Sequence, residues 1–224
     1  MTTLVSESIE GLARAVGPEP DDVLVEMNEY GEEIGFPTVG PEVGGVLRLL
    51  ARIVGAEKIF EFGSGFGYSG YWFASALPDD GEIVLTEHDA DELELAREYF
   101  ERGGISHLAE FEGGDAMEIV DEYDGPFDVV LIDHQKERYA EAFEIVRDRV
   151  SPGGLVITDN IVATNEDFSA DVLALLSDAA VSADSLHQHA PGIAEYLETV
   201  DADPDFETVL IPLGEGISVS YKSP

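Results

Sequence analysis

Residues 59–70 read IFEFGSGFGYSG, an apolar run followed by a glycine-rich turn and the start of a helical stretch. Gly63, Gly65 and Gly67 allow the backbone to turn sharply and to approach a ligand closely. A strand, a glycine turn and a helix in this order are typical of nucleoside-cofactor binding. A tight turn that binds nothing would use the same glycines, so the turn alone leaves both interpretations open.

The segments around this turn alternate in type. Short apolar runs typical of buried parallel strands are separated by helical stretches, a pattern that favours an open α/β sheet with right-handed crossovers. The predicted strands are residues 58–62, 82–87, 109–112, 127–132 and 155–158, and the predicted helices between them are residues 68–77, 89–102, 116–123 and 137–150. Ligands of such a sheet bind at the carboxyl ends of its strands.

The two ends of the chain differ from this alternating core. Residues 8–16, 20–34 and 42–54 read as helices, separated by Gly-Pro breaks. Near the other end, residues 206–213 and 217–221 flank Gly214-Glu215-Gly216, which predicts an antiparallel hairpin. We therefore expect a single domain, residues 1–224, with helices over the site in residues 1–55 and a Rossmann-like core in residues 56–224. Its sheet should be mostly parallel and seven-stranded, with helices on both faces and the hairpin at its C-terminal edge.

Composition narrows the class of protein. The 224 residues carry 48 acidic and 11 basic side chains, a net charge of −37, and no cysteine. Such a surface repels nucleic-acid phosphates and anionic lipid, so neither partner is expected. The acids are spread along the chain, which favours adaptation to high salt over an acidic tail. No apolar run of membrane-spanning length and no leader are evident, so the sequence predicts a soluble cytoplasmic protein.

Acidic residues follow the glycine turn at the ends of the next predicted strands. Glu87 ends the second strand, where an acid can hold both hydroxyls of a ribose. Asp115 follows the third strand and could either cap the next helix or accept from an adenine amino group. Glu61, just before the turn, would repel a pyrophosphate and favours a cofactor that carries an ammonium and a sulfonium. The third glycine of the turn, Gly67, comes one residue earlier than in the dinucleotide-binding pattern GxGxxG, from which the turn therefore departs.

A second polar cluster follows the last two parallel strands. Residues 131–139 read LIDHQKERY, and Asp159-Asn160 lies downstream. Two acids and an amide suit a hard divalent cation such as Mg²⁺, which prefers oxygen ligands. Lys136 lies three residues after Asp133, and a lysine beside such a cation is a candidate general base. Each residue alone could instead be a turn former, a helix cap or a partner in a surface ion pair.

Five motifs in order resemble one family. EFGSGFGYSG, TEHD, GGDA, LIDHQKERY and TDN are similar to those of the metal-dependent, S-adenosylmethionine-dependent O-methyltransferases of the catechol and caffeoyl-CoA type. The resemblance covers the chain from about Gly35 onward and implies the Rossmann-like methyltransferase fold. It also implies methyl transfer to a phenolic, catechol-like hydroxyl of a small molecule, with a divalent metal chelating the acceptor oxygens.

The resemblance also implies roles for single residues. Lys136 is implied as the catalytic base, and Asp133, Asp159 and Asn160 as the metal ligands. The implied S-adenosylmethionine site comprises Val39, Gly40, Glu61, Gly63, Tyr68, Ser69, Glu87, His88, Asp115, Ala116, Asp133 and His134. Gln135 replaces an adenine-stacking tryptophan of the catechol enzyme, so more of that packing is expected from His134.

Some questions stay open at this point. The closing hairpin shows no match to the catechol enzyme's substrate-binding glutamate, so the acceptor is not identified. The choice of divalent metal, a homodimer and any role of His187 and His189 also stay open. Two alternative functions remain. The first is a nicotinamide-dependent oxidoreductase, which the glycine spacing disfavours. The second is a non-catalytic cofactor-binding protein, which the presence of Asp133, Lys136, Asp159 and Asn160 together disfavours.

Overall fold

The computed structural model describes residues 7–162, 166–177 and 186–224. The described strands are β1 (Lys58–Phe62), β2 (Glu82–Glu87), β3 (Ala109–Gly113), β4 (Phe127–Ile132), β5 (Val150–Thr158), β6 (Phe206–Ile211) and β7 (Ile217–Lys222). They form one sheet in the order β3-β2-β1-β4-β5-β7-β6. Neighbours from β3 to β5 are parallel, and β7 is antiparallel to both β5 and β6. The predicted mostly parallel, seven-stranded sheet with a terminal hairpin is confirmed.

Helices cover both faces of this sheet. The described helices are α1 (Glu7–Val16), α2 (Asp22–Ile34), α3 (Gly40–Val54), α4 (Tyr68–Ala74), α5 (Ala90–Arg102), α6 (Ala116–Ile119), α7 (Tyr139–Val146), α8 (Glu166–Leu176) and α9 (Ala190–Asp201). Neighbouring strand residues such as Ile59 and Phe60 point to opposite faces, and each face has its own apolar core. One core packs against α2 to α5 and the other against α6 to α9. No described helix combines the length and the apolar character needed to cross a bilayer.

Several predicted boundaries were wrong, among them those of the helix after β4, which spans Tyr139–Val146 rather than residues 137–150, and two helices were missed. The fifth strand begins at Val150 and takes in residues assigned to a helix and a loop, because Val150 pairs with Phe127 across an irregularity in the register. The helical stretches after β1 and β3 are shorter than predicted. Neither α8 nor α9 was predicted, although α9 begins with a proline in its first turn and buries Ile193, Tyr196 and Val200 at helical spacing.

The chain changes direction in the sheet between β1 and β4, because β2 and β3 lie on one side of β1 and the later strands on the other. A crevice forms at such a point at the carboxyl ends of the strands. The ends are also level: Phe62 pairs with Thr86 and with Ile132, and Ile132 pairs with Thr158. The residues that follow, Gly63, Glu87, Asp133 and Asp159, therefore lie along one edge of the sheet.

The acid excess leads to an expectation about stability. With a net charge of −37, self-repulsion opposes the compact state in dilute buffer and is screened as salt is added. We expect the melting temperature to rise by more than about 10 °C between about 0.1 M and about 2 M KCl. Circular dichroism at a series of KCl concentrations measures this, and a flat melting temperature would contradict the adaptation to high salt.

Candidate active site

A cavity of about 710 Å³ opens at this edge of the sheet. Twelve of the predicted site residues line it: Val39, Gly63, Tyr68, Ser69, Glu87, His88, Asp115, Ala116, Asp133, His134, Lys136 and Asn160. The other three, Gly40, Glu61 and Asp159, are not part of the lining. Gly40 is the first residue of α3, whereas Glu61 and Asp159 are buried beneath the surface of the cavity.

The glycine turn closes the floor of the cavity. Gly63 has φ of +81°, and a Cβ atom there would lie 2.5 Å from the carbonyl oxygen of Asp133. Only glycine fits both the left-handed backbone and this close approach between β1 and β4. The turn therefore joins the two halves of the site, and the ring of Phe36 lies against it at Gly65.

The buried carboxylate of Glu87 is held by the main chain. One of its oxygens accepts from the Gly65 N–H at 3.0 Å, and the other accepts from the N–H groups of His88 and Asp89 at 2.8 and 3.0 Å. The His88 ring is largely exposed, with Nδ1 2.8 Å from Glu87. These bonds fix the carboxylate at the end of β2, on the wall of the cavity.

Glu61 lies behind the glycine turn and is fully buried. Burial raises the pKa of its carboxyl to about 8, opposed by the hydrogen bond that Ser69 Oγ donates and reinforced by the charges of Asp133 and Glu87. Its second oxygen, Oε2, is buried with no hydrogen-bond partner. A positively charged group beside this oxygen would stabilise the ionised carboxylate.

Asp115 and Arg138 form a pair at the far wall. Both oxygens of Asp115 accept from Arg138 Nη1, at 3.1 and 2.9 Å, and one also accepts from the Met117 N–H. The hydrogen bonds from Arg138 and Met117 lower the pKa of Asp115. Of the two predicted roles of Asp115, capping of the following helix is the one confirmed. No pattern in the sequence indicates the pairing of Asp115 with Arg138.

His134 is half-buried at the edge of the cavity. Its ring stacks on Tyr139 with centroids 5.7 Å apart and lies 5.6 Å from the ring of Phe62. Burial lowers the pKa of His134 to about 4, so the ring is neutral at physiological pH. Both ring nitrogens are buried without hydrogen-bond partners.

The second polar cluster is assembled around Asn160. Lys136 Nζ donates to Asn160 Oδ1 at 2.8 Å, and Asn160 Nδ2 donates to Asp159 at 3.1 Å and to Glu215 at 3.0 Å. Asn160 has φ of +58°, a left-handed conformation that asparagine adopts more readily than most residues. Since two carboxylates hold the amide nitrogen, the amide oxygen faces Lys136.

Of the two aspartates of this cluster, Asp159 is buried and Asp133 is half-buried in the cavity lining. Burial raises the pKa of Asp133 to about 6, opposed by Lys136 and reinforced by Glu215, and burial with the Asp133 charge raises the pKa of Asp159 well above its usual range. Asp159 Oδ1 has no hydrogen-bond partner. Among the described residues, no three His, Cys, Asp or Glu side chains group closely enough to hold a metal ion, and the third donor in the predicted set is an amide.

Glu215 is a site residue that the sequence interpretation missed. The turn that carries it is fixed against the end of β5, because Ile161 N–H donates to the Gly216 carbonyl and Val162 N–H to that of Glu215. A Cβ atom at Gly216 would lie 2.3 Å from Val162. The available signal was an acid between two glycines in the predicted hairpin. His187 and His189 lie outside the lining, and His189 Nδ1 is 2.7 Å from Glu137.

Comparison with known proteins identifies the family. The O-methyltransferase family model matches residues 23–223. The chain belongs to the O-methyltransferase family. Its similarity to a catechol O-methyltransferase of Niastella koreensis is 33% identity over 169 residues, 72% of this chain and 76% of that protein. A caffeoyl-CoA O-methyltransferase of Petroselinum crispum is 26% identical over 216 residues, 93% of this chain and 87% of that protein.

Solved structures of O-methyltransferases have the same fold. One is TomG from Streptomyces achromogenes in complex with SAM, with a TM-score of 0.81, 26% identity, and coverage of 97% of this chain and 96% of that chain. Another is the Bacillus cereus enzyme in complex with SAH, with a TM-score of 0.81, 25% identity, and coverage of 96% and 97%. The predicted fold and the predicted class, an S-adenosylmethionine-dependent O-methyltransferase, are confirmed, and the oxidoreductase alternative has no support from these relatives.

Proposed function

We propose that this O-methyltransferase transfers a methyl group from S-adenosylmethionine to one of two vicinal hydroxyls of a small phenolic molecule, with a divalent cation such as Mg²⁺ at the acceptor site. The observation that carries the proposal is the contact of Lys136 with Asn160 beside the half-buried Asp133 and the buried Asp159, on the wall of the cavity that also holds Glu87. The catechol and caffeoyl-CoA enzymes among the relatives agree with such an acceptor.

The cofactor fits the residues around the glycine turn. Glu61 has a buried carboxylate oxygen without a partner, which suits an ammonium group, and Ser69 lies beside it. Glu87 suits the ribose hydroxyls, and Ala116, His88 and His134 lie on the wall beyond it, where the adenine would pack. Val39, Gly40, Gly63 and Tyr68 would enclose the methionine portion, below the N-terminal helices. The sulfonium supplies the methyl group and leaves as a neutral thioether.

A divalent cation fits the cluster around Asn160. Asp159 is buried, Asp133 is half-buried, and both have raised pKa values. Glu215 adds a further carboxylate through its contact with Asn160, and Lys136 is the cation beside them. Taking several carboxylates out of water is costly without more positive charge. Asp133, Asp159 and the Asn160 amide oxygen would hold the ion, which would lower the pKa of acceptor hydroxyls and orient them. Glu215 would keep the amide turned so that its oxygen faces the ion.

Lys136 is the proposed general base. Its amino group would take the proton from the attacking hydroxyl, and the phenolate oxygen would then form a bond to the methyl carbon as the carbon–sulfur bond breaks. The side chains on the two walls align the partners, an effect that can reach about 7–11 kcal/mol in well-oriented systems.

A set of acceptors tests the proposal. Catechol should be methylated once in the presence of Mg²⁺, whereas phenol and resorcinol, which lack vicinal hydroxyls, should react far more slowly. Guaiacol, the methylated product of catechol, should not react further at an appreciable rate. Transfer of an isotopically labelled methyl group, followed by mass spectrometry in concentrated KCl, measures each rate. Equal rates on catechol and resorcinol would contradict chelation of two neighbouring oxygens.

Glu87 provides a test of the cofactor position. We expect Glu87→Gln to weaken S-adenosylmethionine binding at least about tenfold, since a charge-assisted hydrogen bond is worth about 1.5–3 kcal/mol. Asp91→Asn, with the same charge change on the exposed surface of α5, is the matched control and should bind normally. Calorimetry measures both affinities, and an unchanged affinity in Glu87→Gln would place the ribose elsewhere.

A further inference from the structure

The positive side chains of this protein can be counted completely. The sequence has 11 lysines and arginines, and none lies in residues 1–6, 163–165 or 178–185, the stretches outside the described structure. Every cationic side chain other than histidine can therefore be located. Their positions bear on the acceptor, because a phosphorylated ligand needs positively charged side chains or N–H donors to replace the water bound to its phosphate groups.

Most of these cations lie outside the cavity lining and are already engaged. Arg14, Lys58, Arg102, Arg147 and Arg149 pair with carboxylates. Arg52, Arg97 and Lys222 donate to main-chain carbonyls. Arg48 lies on α3 close to Asp21 and Arg52, and burial lowers its pKa. Arg14 is near enough to influence Tyr68 in the lining, but Glu42 holds it.

Two cations remain in the lining, and neither is free. Lys136 donates to Asn160, and Arg138 is held by both oxygens of Asp115 and by Glu141. The lining also contains the carboxylates Glu87, Asp89, Glu92, Asp115 and Asp133. The cavity is therefore negative, and a sulfonium cofactor with a divalent ion would offset that charge without providing a surplus cation for phosphate.

From this inventory we infer that the acceptor is an unphosphorylated vicinal diol, neutral or cationic, and that a coenzyme A thioester is a poor substrate of this chain. The inference rests on the proposed function. The diphosphate and ribose phosphate of coenzyme A would meet carboxylates at the cavity and find no uncommitted lysine or arginine in its lining; Arg48, whose buried Nε has no hydrogen-bond partner, lies outside that lining. On this inference the chain differs in acceptor class from the caffeoyl-CoA O-methyltransferase that it resembles.

A series of thioesters isolates the effect of phosphate. Caffeoyl esters of pantetheine, dephospho-coenzyme A and coenzyme A share the catechol ring and the thioester and differ in phosphate content. We expect kcat/KM to fall along this series by at least about tenfold at the lowest KCl concentration that keeps the protein folded. The difference in kcat/KM among the esters should become smaller as KCl screens the repulsion between phosphates and carboxylates, but its sign should not reverse.

Two variants separate a local effect from net charge. Glu42→Gln frees Arg14 near Tyr68. This variant should therefore reduce the difference in kcat/KM between the pantetheine ester and the coenzyme A ester. Glu26→Gln frees Arg102, which is outside the cavity lining, and should leave that difference unchanged. Both variants remove one negative charge, so a difference between them reports position.

Binding of the same esters, measured by calorimetry with S-adenosylhomocysteine and Mg²⁺ present, keeps this test independent of turnover. If catechol itself is not methylated, the proposed function fails, while the order of the ester affinities still tests the acceptor class. The inference is supported if affinity or kcat/KM falls with each added phosphate. It is overturned if the coenzyme A ester equals or exceeds the pantetheine ester, or if no ester binds.

Discussion

Replacing Lys136 by alanine is expected to lower turnover on a catechol by about 10²–10⁴-fold, the usual contribution of a general base. Lys136 Nζ lies 2.8 Å from Asn160 Oδ1, so the amine is within reach of any acceptor oxygen placed beside that amide. Steady-state rates on catechol measure this effect.

Two variants control for indirect effects. Lys136→Arg keeps the charge but supplies a guanidinium that stays protonated, so it should be nearly as slow as the alanine variant. Lys58→Ala removes a lysine that pairs with Glu82 outside the cavity lining and should keep normal turnover. Calorimetry should show nearly unchanged cofactor and Mg²⁺ binding in Lys136→Ala. Full turnover in that variant would mean that the base lies elsewhere.

Replacing Asp159 by asparagine is expected to weaken Mg²⁺ binding by at least about a hundredfold and to remove activity at ordinary Mg²⁺ concentrations, since even partners of metal ligands contribute about 10–100-fold. Burial and the Asp133 charge raise the pKa of Asp159, so the ionised carboxylate is unfavourable without a cation. The variant should therefore melt no lower than the parent without metal, while losing the stabilisation that Mg²⁺ gives the parent. Asp121→Asn removes the same charge at an exposed position outside the cavity lining, so it is the control and should bind Mg²⁺ normally.

The pH dependence of Mg²⁺ binding follows from the same groups. Protons compete with the ion for Asp133, whose pKa is raised to about 6, and for Asp159, whose pKa burial raises well above its usual range. Affinity should therefore fall as pH decreases through about 6, well above the range expected for ordinary aspartates. Metal titrations at several pH values measure this. If the Mg²⁺ affinity stays the same between about pH 7 and about pH 5, these two carboxylates are not the metal ligands.

Strand ends were the part of the site that the sequence could predict. Four of the five predicted parallel strands stop one residue before Gly63, Asp133 or Asp159, or at Glu87, and the register aligns these ends along one edge. Local patterns suffice here because apolar runs mark strands and the first polar residue marks the carboxyl end.

Contacts between distant segments could not be predicted in this way. Glu215 reaches Asn160 only because the hairpin turn bonds to the main chain after β5, an arrangement set by pairing across the sheet. Arg138 meets Asp115 because the chain after β4 passes beside the start of α6. Nothing in the spacing of these residues indicates either contact. The missed α9 is different, since its proline and apolar spacing were visible in the sequence.

Restoring activity with metal is the most direct test of metal-dependent methyl transfer at this site. The protein is stripped with a chelator in concentrated KCl, and the rate of catechol methylation is measured as Mg²⁺ is added back, with S-adenosylmethionine affinity measured in parallel. We expect no appreciable rate in the stripped protein, full recovery with Mg²⁺, and a cofactor affinity that changes little. Full catechol methylation in the stripped protein would contradict the account.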